Sequence, residues 1–138
     1  MPQANNCFEG MRVLLVEDNP EAMKLTTGML RDLGITQVYT ANNGAEAIDL
    51  FESFNGDEKA DLVLSDWNMP EITGMDLLKQ IRTTHPDMMF IMLTGQADPT
   101  SVAEARACGI TGYITKPFSV DDLGKKLSVV SRVIAHRK

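Results

Sequence analysis

Three uninterrupted apolar runs constrain this chain more than anything else in it. Val13-Leu14-Leu15-Val16, Leu62-Val63-Leu64 and Met88-Met89-Phe90-Ile91-Met92-Leu93 show no alternation of apolar and polar residues. A strand with one wetted face alternates, so runs of this kind belong to strands covered on both faces, as in a parallel sheet between helical layers. Each run stops abruptly at polar or charged residues: Glu17-Asp18, Ser65-Asp66 and Thr94.

Helical patterns fill the intervals. Asn19 is a cap and Pro20 a first helical residue ahead of Met23, Thr26, Met29, Leu30 and Leu33, and Gly34 ends that helix. A second strand is predicted over Gln37-Val38-Tyr39-Thr40, followed by a helix carrying Ala47, Ile48, Leu50, Phe51 and Phe54, which Asn55-Gly56-Asp57 releases. Pro70 and Gly74 shape the loop after Asp66. Met75, Leu78 and Ile81 then mark a helix ending before Pro86. Asp98-Pro99 opens a short helix of small residues stopped by Gly109. Gly112-Tyr113-Ile114-Thr115 is the last strand, and Val120, Leu123, Leu127, Val130 and Ile134 line the last helix.

Five strands alternating with five flanking helices, joined by right-handed crossovers, give a doubly wound α/β sandwich with a parallel sheet. In such a sheet all strand C-termini share one edge. Strand two ends in Thr40-Ala41, with no reactive group, which puts it at the margin and gives the order 2-1-3-4-5 of flavodoxin-like folds. Residues 1–10 are polar and read as a flexible N-terminal lead. Residues 11–138 form one domain, and the fold uses them so fully that no output domain is expected.

A net charge of -6 supplies no basic stripe for nucleic acid. Cys7 and Cys108 have neither metal-site nor disulfide spacing, and no stretch reaches the ~20 apolar residues of a membrane span. The expectation is a soluble cytoplasmic domain with no membrane insertion.

The other strand ends carry the chemistry. Glu17 and Asp18 follow strand one, Asp66 strand three, Thr94 strand four and Lys116 strand five. Three carboxylates at one crevice repel one another, and a divalent cation resolves the conflict; an all-oxygen set suits Mg²⁺ or Mn²⁺. Three carboxylates, one divalent cation and Lys116 balance to zero, so the crevice can receive a phosphoryl dianion. Asp66 is then the attacking carboxylate, in the aspartyl-phosphate mode of covalent catalysis.

The set Glu17-Asp18, Asp66 with Asn68-Met69-Pro70 and Gly74, Thr94-Gly95, and Gly112-Tyr113 with Lys116-Pro117 resembles the receiver domain of two-component response regulators. The segment Asp66-Trp67-Asn68-Met69-Pro70 is similar in particular to the single-domain chemotaxis type. The resemblance implies that Asp66 takes a phosphoryl group from the phosphohistidine of a histidine kinase or histidine phosphotransfer protein. It also implies that Asp18, Asp66 and the backbone carbonyl of Asn68 ligate the cation, with Glu17 contributing through water. Lys116, held by a cis bond to Pro117, pairs with the phosphoryl group. Thr94 and Tyr113 act as a switch that alters the face made by the fourth helix, fifth strand and fifth helix, where a downstream target docks.

Departures from the chemotaxis pattern matter too. Gln96 stands where that type is acidic, and with Asn68 it flanks the path of the hydrolytic water, so both bear on phosphate lifetime. Asp98-Pro99 opens the fourth helix where that type is basic, which leaves open a receiver serving another phosphorelay. Two rivals fit less well. An aspartate-nucleophile phosphatase needs a second Asp where Asn68 stands, and a flavodoxin-like cofactor binder needs a Ser/Thr/Gly-rich first loop where Glu17-Asp18 stand. A signalling domain whose only reactions are its own phosphorylation and dephosphorylation is the expectation, and a turnover enzyme is not.

Overall fold

The computed structural model describes residue 8 and residues 10–54, 60–95 and 98–137. Along them run β1 (Arg12–Val16), α1 (Pro20–Asp32), β2 (Gln37–Ala41), α2 (Gly44–Ser53) and β3 (Leu62–Asp66). The second half holds α3 (Gly74–Thr84), β4 (Met89–Thr94), α4 (Pro99–Ala107), β5 (Gly112–Thr115) and α5 (Val120–Arg137). Every pairing is parallel and the order is β2-β1-β3-β4-β5, as the strand ends implied.

Local chemistry accounts for the helix starts. Asn19 accepts from the amides of Glu21 and Ala22, and Asn43 from that of Glu46, satisfying donors the first turn leaves open. Thr73 and Asp76 form a reciprocal capping box at α3, and Asp98 caps α4 through the Ser101 amide. The boundaries differ slightly from the sequence expectation. β4 begins at Met89, because Met88 donates its amide to the carbonyl of His85 in the preceding turn.

The alternation of side chains across the central strands sorts the core into two layers. Val13, Leu15, Leu62, Leu64, Met89, Ile91, Leu93 and Ile114 face Leu30 of α1 and Leu123, Leu127 and Val130 of α5. Leu14, Val16, Val63, Phe90 and Met92 face Ala47 and Phe51 of α2, Leu77, Leu78 and Ile81 of α3, and Ala105 of α4. These runs are apolar throughout because both layers are dry.

One expectation needs correction at a single residue. Phe8, assigned to the flexible lead, is buried in the α1/α5 layer, and its carbonyl accepts the Met11 amide. An aromatic ring has apolar area to gain there that the polar residues around it lack. The rest of that lead, residues 1–7 and 9, lies outside the described residues.

Gly28 sits in the middle of α1, and a Cβ there would meet nothing within 4 Å. Gly28→Ala is expected to raise the unfolding free energy by about 1 kcal/mol, because alanine restricts the unfolded chain and favours the helix. A urea titration checks it. An unchanged or lower midpoint at constant slope contradicts the expectation.

Candidate functional site

The two-layer core also aims the polar residues. The row Val13, Leu15 on β1 continues to Glu17, the row Leu62, Leu64 on β3 to Asp66, and Ile114 on β5 continues to Lys116. The ladder persists that far: the Glu17 amide donates to the Ala41 carbonyl at 3.1 Å and the Lys116 amide to the Thr94 carbonyl at 2.6 Å. Period-2 alternation therefore directs Glu17, Asp66 and Lys116 toward the α1/α5 side of the sheet edge.

They meet there. Lys116 Nζ lies 3.0 Å from Glu17 Oε1 and 3.3 Å from Asp66 Oδ1. Glu17, Asp18 and Asp66 each offer a carboxylate oxygen, all within 4.8 Å of one another. Glu17 is 1 % and Asp66 8 % exposed, whereas Asp18 faces solvent. The Asn19 amide also donates to Glu17 Oε2 at 3.3 Å. A partly open set of hard oxygen donors, two buried and one in solvent, suits a small divalent cation that keeps waters.

Thr94 and Tyr113 belong to the other layer. The register Met92↔Tyr113 and Thr94↔Thr115 puts them on one face of the sheet, the α2/α3/α4 side, a diagonal step apart. Thr94 is 2 % exposed at the strand end, while Tyr113 is half-buried with Lys126 Nζ 5.8 Å from its ring centroid. Tyr113 is thus not part of the acidic cluster; it stands on the other layer, on β5, with β4 between it and Asp66 at the end of β3. Asn68 is exposed in the loop after Trp67, two residues past Asp66. The Lys116–Pro117 peptide is cis. Gln96 lies outside the described residues.

The β3–α3 loop holds features the sequence reading missed. Glu71 has φ 67°, and the Ile72 amide donates to the Pro70 carbonyl at 2.8 Å, making a γ-turn of the rare hand at a non-glycine residue. Gly74 is where the loop closes on itself. Its amide donates to the Trp67 carbonyl at 2.9 Å, and a Cβ there would lie 2.5 Å from the Asp66 carbonyl oxygen and 2.8 Å from Met92 Sδ. The pairing of Pro70 with Gly74 signalled a tight loop, but no residue type announces a left-handed glutamate.

Burial, above all, pushes Glu17 above the ordinary carboxylate value of 4.5; the hydrogen bond from Lys116 opposes this, and the like charge of Asp66 adds to it. Burial alone would lower Lys116, but its bond to Glu17 and its attraction to Asp66 and Glu17 win, and its pKa rises above 10.5. The cluster therefore carries excess negative charge that one lysine cannot neutralise. Between pH 4.5 and the raised value the folded chain binds more protons at Glu17 than the unfolded chain, so metal-free stability falls as pH rises through that window. Asp98 and Asp122, lowered by capping bonds, act with the opposite sign mainly below 3.8, and Glu17→Gln leaves their contribution unchanged. In chelator, Glu17→Gln is expected to flatten the decline of the urea midpoint above pH 4.5; parallel wild-type and variant curves contradict this.

Comparison with known proteins returns the same pattern. Residues 13–128 match the family model of the response regulator receiver domain. The chemotaxis protein CheY of Pseudomonas aeruginosa is 33 % identical over 122 residues, covering 87 % of this chain and 95 % of its own. Chemotaxis protein CheY-3 of Vibrio cholerae is 35 % identical over 124 residues, covering 88 % and 92 %. Among solved structures, chemotaxis protein CheY4 of Vibrio cholerae superposes with a TM-score of 0.79 at 32 % identity, covering 87 % of this chain and 98 % of its own. A receiver domain protein from Clostridium thermocellum superposes with a TM-score of 0.84 at 26 % identity, covering 93 % and 99 %. With the family model running from the second residue of β1 through β5 and taking in the edge that gathers Glu17, Asp18, Asp66 and Lys116, this chain belongs to the response regulator receiver domain family.

Proposed function

We propose that this response regulator is switched by transfer of a phosphoryl group to Asp66 from the phosphohistidine of a histidine kinase or histidine phosphotransfer protein. The observation that carries the reading is the setting of Asp66: a carboxylate at the end of a buried strand, beside Glu17 and Asp18, with an ammonium 3.3 Å away. An Asp66 oxygen attacks phosphorus, the P–N bond breaks, and the departing imidazole nitrogen keeps the electron pair and takes a proton. Water later attacks the same phosphorus, returning the Asp66 carboxylate and inorganic phosphate. Beyond the phosphodonor and water, these reactions consume nothing, and the domain turns over no other substrate.

Asp18, Asp66 and the Asn68 carbonyl are assigned as ligands of Mg²⁺ or Mn²⁺, with Glu17 acting through water. Bound there, the cation offsets the repulsion of the carboxylates and stabilises charge on the transferring phosphoryl oxygens. Lys116 exchanges its carboxylate partners for a phosphoryl oxygen, keeping a charge-assisted bond throughout. The Thr94 hydroxyl donates to another oxygen, and its shift opens room on its own side of the sheet for the Tyr113 ring. Asn68 and Gln96 border the approach of water and set the phosphate lifetime.

The target surface is assigned to α4, β5 and α5. A groove of ≈ 630 Å³ there is lined by Arg106, Tyr113, Lys125, Lys126 and Val129, so a ring movement at Tyr113 changes its shape directly. The relatives named as chemotaxis proteins support signalling of that type, and the cytoplasm is its proposed location. No helix among the described residues is long and apolar enough to cross a membrane.

Incubation with Mg²⁺ and acetyl phosphate should add one base-labile, hydroxylamine-labile phosphoryl group, lost in Asp66→Asn. Equal labelling of that variant sinks the assignment. Trp67, half-buried and next to Asp66, should report cation binding. Its emission is expected to change on Mg²⁺ titration, with affinity at least about tenfold weaker in Asp18→Asn. An unchanged spectrum at saturating Mg²⁺, confirmed by a calorimetric titration without heat, contradicts the metal assignment.

A further inference from the structure

Gly44 is the first residue of α2, directly after the Asn43 cap, and it is buried. Propensity alone favours alanine over glycine at a helical position. The reason for glycine lies across the layer. A Cβ on Gly44 would overlap Ile72 Cγ2, lie 2.6 Å from Ile72 Cβ and lie 3.1 Å from the Ile72 carbonyl oxygen. Ile72 therefore rests on bare backbone at the start of α2, closer than any side chain at position 44 would allow.

Ile72 belongs to the loop that carries Asn68. That loop is tied at its ends by the Trp67 amide to the Leu93 carbonyl at 2.8 Å and by the Gly74 amide to the Trp67 carbonyl at 2.9 Å. Met69 is buried beneath it. Between these anchors runs the γ-turn at Glu71, whose φ of 67° is sparsely populated for a side chain of that type and persists only where the surroundings hold it. Ile72 is the next residue, and its seat on Gly44 couples the loop to a different helix.

We infer that Gly44 is a positioning residue for the acidic site: its bare backbone seats Ile72, and that contact sets the loop that presents the Asn68 carbonyl. The inference rests on the phosphoacceptor reading for its functional consequence, but its structural core does not. Filling the seat displaces Ile72 and the turn behind it, moving Asn68 relative to Asp18 and Asp66. Sub-ångström errors in ligand placement are costly at a site that demands near-octahedral geometry.

The test uses the full chain as wild type, Gly44→Ala, Ile72→Ala, the double variant, and Gly28→Ala as a control glycine with open space around it. Amide hydrogen exchange is read without metal, and Mg²⁺ affinity by calorimetry. Gly44→Ala and Ile72→Ala should each speed exchange at the Ile72 and Gly74 amides by about tenfold while the β1 and β3 amides stay protected. Mg²⁺ affinity and acetyl phosphate labelling should fall in the same two variants and be unchanged in Gly28→Ala. The double variant should lose less than the sum of the singles, since both act on one contact. Wild-type exchange and affinity in Gly44→Ala overturn the inference. So does uniform loss of protection across the sheet, which would make the contact a general packing one. If wild type itself binds no Mg²⁺ and takes no phosphate, the functional reading fails, and the exchange comparison still decides whether Gly44 sets the loop.

Discussion

Glu17 and Asp66 share one ammonium at a place where water cannot do the same work. Both carboxylates are nearly buried, Asp18 stands beside them in solvent, and Lys116 reaches both from the end of the edge strand β5, across β4. Burying charge is costly, and pairing returns only part of the cost. The raised pKa of Glu17 is the visible remainder of that imbalance. A fold with fewer strands delivering polar residues to one edge could not sustain it. The parallel sheet matters to function chiefly because it brings those ends together.

The sheet also divides the labour between its two sides. Side chains alternate, so the rows that end in Glu17, Asp66 and Lys116 belong to the α1/α5 layer, and the row that ends in Thr94 belongs to the opposite one. Tyr113 shares that opposite layer and lines the groove of α4, β5 and α5. The acidic edge on β1 and β3 and the groove beside β5 are therefore separated by β4. Thr94 stands at their junction, with its carbonyl tied to the Lys116 amide. α4 contributes only Val102 and Ala105 to the buried set, so little apolar packing ties it to the sheet.

Between β3 and α3 the chain accepts local cost for position. Gly74 brings the helix start against the Asp66 carbonyl, Glu71 adopts a left-handed φ, and Ile72 presses on the backbone of Gly44. A left-handed glutamate costs about 1–2 kcal/mol relative to ordinary backbone. The capping box at Thr73 and Asp76 and the burial of Met69 offset it on either side. The outcome is a loop anchored at both ends beside the acidic cluster.

How much of this was legible in the chain follows from range. Apolar runs without alternation are local, and they determined a parallel sheet with both faces covered. Polar residues at the run ends determined which edge is reactive, and the bare end of β2 determined its marginal place. The cap at Asn19 and the helix start at Asp98-Pro99 were readable for the same reason, since a cap acts within three residues. The burial of Phe8, the turn at Glu71 and the contact of Gly44 with Ile72 were not, because each depends on atoms far away in sequence or on an element not yet positioned. That Lys116 pairs with both Glu17 and Asp66, and that Tyr113 lies a layer apart from them, was decided by strand register and side-chain parity. The sequence by itself determined which groups reach the edge; tertiary structure alone decided which of them touch, because contact distance is a property of packing between elements and not of any one of them.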